Sequence, residues 1–344
     1  MAGTSRRLDA LRESAAALSW PWRAAALVAV ALLALGFAVQ PGLFVDQAIG
    51  GLVYGMILVM VALGLSLILG LMGVVNFAHG ALFMLGAYFS YQVVAVWGLP
   101  FWAALVVAPL LVGLVGVLVE LSILRRIYDQ EPIIGLLATF GLTLMVEEVV
   151  RAVWGAAPLG FSTPAVLSGG TDLGVTTVGT FRLFTVAVSA LTVVGVYYLI
   201  SRTSFGLTVR AGVQDDEMTE FLGVNLPLRF TAMFCLGAVI AGLGGVLRAA
   251  EFGMGTGMAQ QFVILAFVVV VVGGVGSLFG SVASGLLIGE AAYLTPVVLQ
   301  SLARTSGVEA LDVSGVRGLV PFLVMILVLL VRPRGLFGEE GFLE

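Results

Sequence analysis

From Ala48 to Trp97 the chain carries no aspartate, glutamate, lysine or arginine. About 20 apolar residues cross the hydrocarbon core of a bilayer as a helix, and runs of that kind recur down the whole chain. They cover Ala24–Val39, Ala48–Leu71, Gly80–Trp97, Pro100–Val119, Pro132–Val150, Phe184–Ile200, Arg229–Ala250, a run from Gln261, Gly280–Leu299 and Gly315–Val331. Only 10% of residues are charged and 60% are hydrophobic, whereas soluble domains carry roughly 25% charged residues. No water-soluble core hides that much apolar surface. The pattern predicts an all-α polytopic membrane protein of about ten transmembrane helices, with one membrane domain over residues 24–331.

The cationic side excludes several chemistries. All 16 basic residues are arginine. A P-loop needs a lysine on the phosphates and a Schiff-base enzyme needs a lysine amine, so neither reaction belongs here. A single histidine, His79, and a single cysteine, Cys235, leave no ligand set for a metal and no intrachain disulfide. No cofactor is expected on this chain, and nothing points to nucleic acid.

Arginine placement orients the spans, because cytoplasmic loops collect basic residues. With the N-terminus inside, ten spans put 11 of the 16 arginines on the cytoplasmic side. Both termini are then cytoplasmic, with a tail at 332–344. Residues 1–23 space Leu8, Leu11, Ala15 and Leu18 at helical intervals, as an interfacial amphipathic helix does. A cleaved signal peptide fits less well, because the arm is long and holds Asp9 and Glu13.

Two stretches resist a straight-helix reading. "GLMGVVNFAHG" (70–80) sets Asn76 and His79 among glycines inside an apolar run, and the run from Gln261 reaches only Val272 before "GGVGSLFG". Both predict broken or re-entrant elements, tolerated at membrane depth only where they face protein or a water-filled cavity. Each break follows an inward-going span and precedes a small-residue helix, a weak internal repeat. The two breaks, Gly73–Gly80 and Gly273–Gly280, are expected to approach each other.

Two connections are long. Residues 152–181 form an outer loop of small, polar and proline residues. The inner segment 201–227 reads as one short polar helix from about Gly206 to Leu222, stopped by Gly223 and Pro227. It resembles the coupling segment of ABC importer permeases in Arg210-Ala211, Gly223 and "VNLP" at 224–227; the acidic start of that signature is absent, and Asp215, Asp216, Glu217 and Glu220 follow instead. Four further stretches extend the likeness: "GLVYGMILVMVALGLSLILGLMGVVNFAHGALFMLGAY", "GLLATFGLTLMVEEVVRAVWG", "VVVVVGGVGSLFGSVASGLLIG" and "LLVRPRGLFG". From about residue 45 onward the chain resembles the branched-chain amino acid permease family of ABC importers, which also includes urea and short-amide permeases.

That resemblance implies a non-catalytic permease subunit in a bacterial inner membrane, surrounded by lipid. It implies a second homologous permease, two cytoplasmic ATPase subunits that bind the ATP, and a periplasmic solute-binding protein. Asn76, His79, Gly80, Gly73, Gly274, Gly276 and Glu290 are candidates for the solute path. Arg210, Ala211, Asp215, Asp216, Glu220, Gly223 and Pro227 are candidates for ATPase coupling. For Asn76 and His79 two readings stay open: they line the path, or they cap and cross-link broken helix ends. Glu290, near the middle of its span, is expensive without a partner. Glu147/Arg151 and Arg248/Glu251 read as ion pairs near the outer surface. Ser277, Ser281, Gly285 and Gly289 at i,i+4 spacing read as a close helix-packing stripe. A self-sufficient secondary transporter or a membrane enzyme competes poorly, the first lacking use for the coupling segment and the second lacking any cluster of reactive residues.

Overall fold

Ten apolar helices stand where the ten apolar runs predict them. The computed structural model describes residues 20–72, 76–127, 130–172, 174–313 and 315–338. Among these, seven helices are long and apolar enough to cross a membrane and three are shorter. The expected amphipathic segment at the N-terminus and Gly73 lie outside the described residues, apart from the start of the first helix.

In chain order the helices are α1 (Trp20–Val39), α2 (Pro41–Met72), α3 (His79–Tyr91, continued by a π-turn over Gln92–Val96), α4 (Phe101–Ser122) and α5 (Pro132–Trp154). A two-stranded hairpin follows, β1 (Gly170–Asp172) paired antiparallel with β2 (Thr177–Gly179). Then come α6 (Thr180–Arg202), α7 (Ser204–Gln214), α8 (Asp216–Phe221), α9 (Leu226–Phe252), α10 (Met258–Gly273), α11 (Leu278–Ser306) and α12 (Val316–Val331). Residues 152–181 are therefore more ordered than a plain connector. They hold the hairpin, and Leu159 bridges to Met254 at the end of α9.

Burial divides the bundle into a spine and a perimeter. In the most apolar window of α2, 89% of residues are inside, against 22% for α6. α2 packs against α11, α9, α10 and α6. The outward faces of α4, α5, α6 and α12 present Leu110, Leu137, Leu191 and Leu330, which in lipid cost nothing. α2 and α11 meet along small residues. A Cβ on Gly289 would lie 2.5 Å from the Gly51 carbonyl oxygen and 2.6 Å from the Gly55 nitrogen, and one on Gly285 would lie 2.6 Å from Val59. Gly285 and Gly289 of the small stripe form a helix seam, as their spacing predicts.

Polar side chains start the helices. Ser277 Oγ accepts from the Gly280 amide at the head of α11 (3.0 Å). Asn225 Oδ1 accepts from Leu228 N at the head of α9 (3.1 Å). Each satisfies an amide the first turn would leave orphaned.

The α10–α11 break is closed from an unexpected direction. Past α12, the amides of Leu336 and Phe337 donate to the carbonyls of Val272 and Gly273 (2.8 and 2.9 Å). The tail thereby satisfies carbonyls that the end of α10 leaves free. Gly274 has φ +101°, and a Cβ there would collide with the Gly338 backbone, so the turn requires glycine.

Candidate functional site

The 76–80 segment is a tight, fully packed turn. Asn76 Oδ1 accepts from the Ala78 amide (3.0 Å) and the Asn76 carbonyl accepts from His79 N (3.3 Å). Phe77 N donates to Thr139 Oγ1 of α5 (3.1 Å). Asn76 precedes α3 and His79 opens it, so the two do not share a helical face. His79 Nε2 lies 3.1 Å from the Val61 carbonyl of α2. That contact requires the proton on Nε2, which leaves Nδ1 as an acceptor. Gly64 makes room for the ring, since a Cβ there would lie 2.7 Å from His79 Cε1. Gly80 lets α3 meet α10, where a Cβ would strike the Ala259 carbonyl and Val263. Both side chains are buried, and among the described residues Asn76 Nδ2 and His79 Nδ1 have no hydrogen-bond partner.

The other path candidates touch α2 at different heights. Gly276, with φ +81°, lies at the α10–α11 turn, where a Cβ on Gly70 would come within 2.5 Å of its Cα. The α10–α11 break meets α2 at Gly70, outside the first break; the described part of the first break, at Gly80, packs on the opposite half of α10, so contrary to expectation the two breaks do not meet there. Glu290 is half-buried, and its Oε2 lies 2.9 Å from where a Gly51 Cβ would be. Among the described residues it has no hydrogen-bond or ion-pair partner. From Gly51 to Gly70 is about 28 Å at 1.5 Å per residue, close to the roughly 30 Å hydrocarbon core. The candidates form a line along α2 and not one pocket.

The 201–227 segment is two helices, not one. The chain breaks at Asp215 (φ −158°, ψ 95°) because its side chain caps α8, accepting from Met218 N (2.8 Å). Asp216 and Glu217 then occupy the first turn, favoured by the helix dipole. Arg210 Nη1 donates to the Ile200 carbonyl, folding α7 back onto the end of α6. The Ala211 carbonyl accepts the Asp215 amide and the Glu220 carbonyl accepts the Gly223 amide. Gly223 has φ +83°, the left-handed residue expected after a helix. Pro227 stands in the first turn of α9, and its carbonyl accepts from Thr231 Oγ1 (2.9 Å) and Arg125 (3.4 Å).

Sequence reasoning missed two features of this end. Met218, Phe221 and Leu222 are 57%, 78% and 78% exposed, so the segment presents apolar side chains as well as acids. The acids set among them, Asp215, Asp216, Glu217 and Glu220, were the available signal. Glu120, 1% exposed at the end of α4, binds Arg125 (3.3 Å) and accepts from Thr231 Oγ1 (2.8 Å). It ties α4 to the base of α9.

At the hairpin end the ion pairs differ from the sequence expectation. Arg151 pairs with Glu148 (3.0 Å), while Glu147 accepts from Gln260 (3.4 Å). Glu251 pairs with Arg182 (2.9 Å), which also binds Asp46 (3.0 Å). Arg248 instead stacks on Phe252 and donates to the Gly253 carbonyl (3.1 Å).

A family model described as branched-chain amino acid transport system / permease component matches residues 47–329. The chain belongs to that family. Among its relatives is the high-affinity branched-chain amino acid transport system permease protein BraD of Pseudomonas aeruginosa. It is 27% identical over 310 residues, covering 86% of this chain and 96% of BraD. The LivH permease protein of Escherichia coli K12 is 27% identical over 318 residues, with the same coverage. LivM of that organism is 28% identical over 305 residues, covering 82% of this chain and 68% of LivM. The chain is thus a multi-pass transport permease, and its described helices match that role.

Proposed function

We propose that this permease is the non-catalytic membrane subunit of a binding-protein-dependent ABC importer for branched-chain or related amino acids. The exposed apolar cluster Met218, Phe221 and Leu222 on a capped, anchored lever carries the reading. A monomer has no use for three large apolar side chains on a polar segment outside the spans; a docking ATPase does. On this reading α7 and α8 face the cytoplasm, both termini lie inside, and the 152–181 hairpin faces the periplasm and the solute-binding protein. Residues 1–23 and 332–344 flank the 24–331 permease domain in the inner membrane. Similarity to both LivH and LivM supports a second permease beside this one, and two ATPase subunits supply the ATP chemistry. The line of path candidates along α2, with the unpaired polar atoms of Asn76 and His79, supports a route beside that helix.

Affinity purification of the tagged chain, followed by identification of its partners and of the ligand held by its binding protein, tests the proposal. A complex holding leucine, isoleucine or valine is expected. A binding protein loaded with urea or a short amide would replace the substrate assignment. ATP-independent uptake by the purified chain alone would overturn the importer.

A further inference from the structure

Arg248 and Arg317, at the hairpin end, form no ion pair among the described residues. They border adjoining cavities that share Gln261, one of about 450 Å³ at Arg317 and one of about 480 Å³ at Arg248. No described aspartate or glutamate lines either. Asp312 borders a third cavity together with Arg317 and forms no ion pair with it. The cavity at Arg317 is a cleft between α10 and α12, walled by Ile264, Leu265, Pro321 and Phe322, with Tyr54 of α2 and Tyr293 of α11 beside them. Ile264 and Phe322 are 45% and 37% exposed. An exposed apolar wall on a spanning bundle faces acyl chains, so the cleft opens sideways to lipid.

The length of α12 brings polar groups down to this cleft. Its 16 residues span about 24 Å at 1.5 Å each, short of the roughly 30 Å hydrocarbon core. A span too short for its bilayer thins it or draws polar groups inward. Arg317 stands in the first turn of α12, where an arginine reaches for the interface and tyrosines form the interfacial belt. Its guanidinium is exposed and lies 3.8 Å above the Tyr293 ring, which stacks on Tyr54 with centroids 5.5 Å apart. It spends one donor on Gln47 Oε1 (2.7 Å). A guanidinium has five, so a cation with spare donors is held by an aromatic pair beside an apolar groove.

We infer that this cleft binds one anionic phospholipid, with Arg317 holding the phosphodiester and an acyl chain lying between α10 and α12 along Ile264 and Phe322. Basic pockets between spanning helices hold anionic lipid head groups. Arg248, beyond Gln261, adds positive potential with no acid in either lining to offset it, which favours a headgroup of net negative charge. The lipid completes the packing of α12, whose main protein neighbours are α11 and α10. The inference needs only the membrane-spanning fold and holds whatever solute the permease carries.

The test titrates the purified, delipidated complex in mild detergent with phosphatidylglycerol or phosphatidylcholine and counts bound lipid by native mass spectrometry. One phosphatidylglycerol is expected to stay bound at concentrations where phosphatidylcholine leaves. Arg317→Gln is expected to weaken it about tenfold, the loss of one charged hydrogen bond. Arg304→Gln, in the last turn of α11 and bordering neither cavity, should leave it unchanged. Gly318 lines the cleft, and a Cβ there meets nothing within 4 Å. Gly318→Leu should therefore fill the groove and expel the lipid while circular dichroism shows the helix content kept. Unchanged binding in either Arg317→Gln or Gly318→Leu overturns the site, and equal affinity for the two lipids overturns the anionic assignment. Displacement by soluble glycerophosphate as readily as by phosphatidylglycerol overturns the acyl groove. A cross-link from Gly318→Cys to a second permease would seat protein in the cleft and equally overturn the lipid.

Discussion

Gly289→Ala adds one methyl group at the tightest point of the α2–α11 seam. Its carbon would lie 2.5 Å from the Gly51 carbonyl oxygen and 2.6 Å from the Gly55 nitrogen. These are backbone atoms, so no rotamer change relieves the clash, and the helices must part by on the order of 1 Å to restore van der Waals contact. A gap of 0.5–1 Å forfeits a quarter to a half of each contact, and a tight patch makes about 40–60 contacts worth ~0.1–0.2 kcal/mol apiece. The loss centres on about 2–3 kcal/mol, matching typical overpacking costs. Gly50→Ala should cost less, because its obstacle is the Tyr293 ring, which can shift. Gly195→Ala in α6 meets nothing within 4 Å and should stabilise by about 0.5–1 kcal/mol through helix propensity. Reversible unfolding in mixed micelles containing dodecyl sulfate, followed by circular dichroism, ranks the three. The seam argument is refuted if Gly289→Ala is as stable as the parent, or if Gly195→Ala loses as much as Gly289→Ala.

His79→Gln should keep most transport, because an amide can still donate to the Val61 carbonyl, whereas His79→Leu should lose much of it; equal, complete loss in uptake assays would contradict a hydrogen-bonding role. Phe221→Ser with Leu222→Ser should sever ATP hydrolysis from uptake in proteoliposomes while the purified chain keeps its melting behaviour; normal coupling would count against docking there. Asp215→Asn should retain the α8 cap and act mildly, but Asp215→Arg should cost about 1 kcal/mol of local helix stability, visible as faster amide exchange over 216–221. Glu120→Ala should loosen α4 from α9 and destabilise by about 1–3 kcal/mol, with Glu120→Gln milder because it can still accept from Thr231; thermal unfolding in detergent measures the difference.

Regular features were legible because they repeat along one axis. The apolar runs located the ten apolar helices of the described residues, and i,i+4 spacing located the seam at Gly285 and Gly289. The glycine breaks were visible too, since few other residues permit such turns. Pairings across the fold were not legible. Arg151 has acids three and four residues back, and only the packed structure places Glu148 on it while Gln260 holds Glu147. Arg182 finds Asp46 and Glu251 from distant helices, a choice no local rule makes. The kink at Asp215 was within reach, because an aspartate followed by two acids is a helix start; the apolar–polar period of the whole segment hid it. Asn76 and His79 are buried, and burial of that kind is invisible until neighbouring helices are in place.

The clasp between residues 336–337 and the end of α10 has a consequence for how the protein is made. The carbonyls of Val272 and Gly273 enter the membrane with no amide to meet them, and their partners follow only after α11 and α12. Until the ribosome has delivered α11, α12 and the segment after them, these two carbonyls lack their protein partners. Insertion of this permease is therefore finished from its far end, and a nascent chain arrested after α11 should remain bound to the insertion machinery or be recognised by membrane proteases as incomplete.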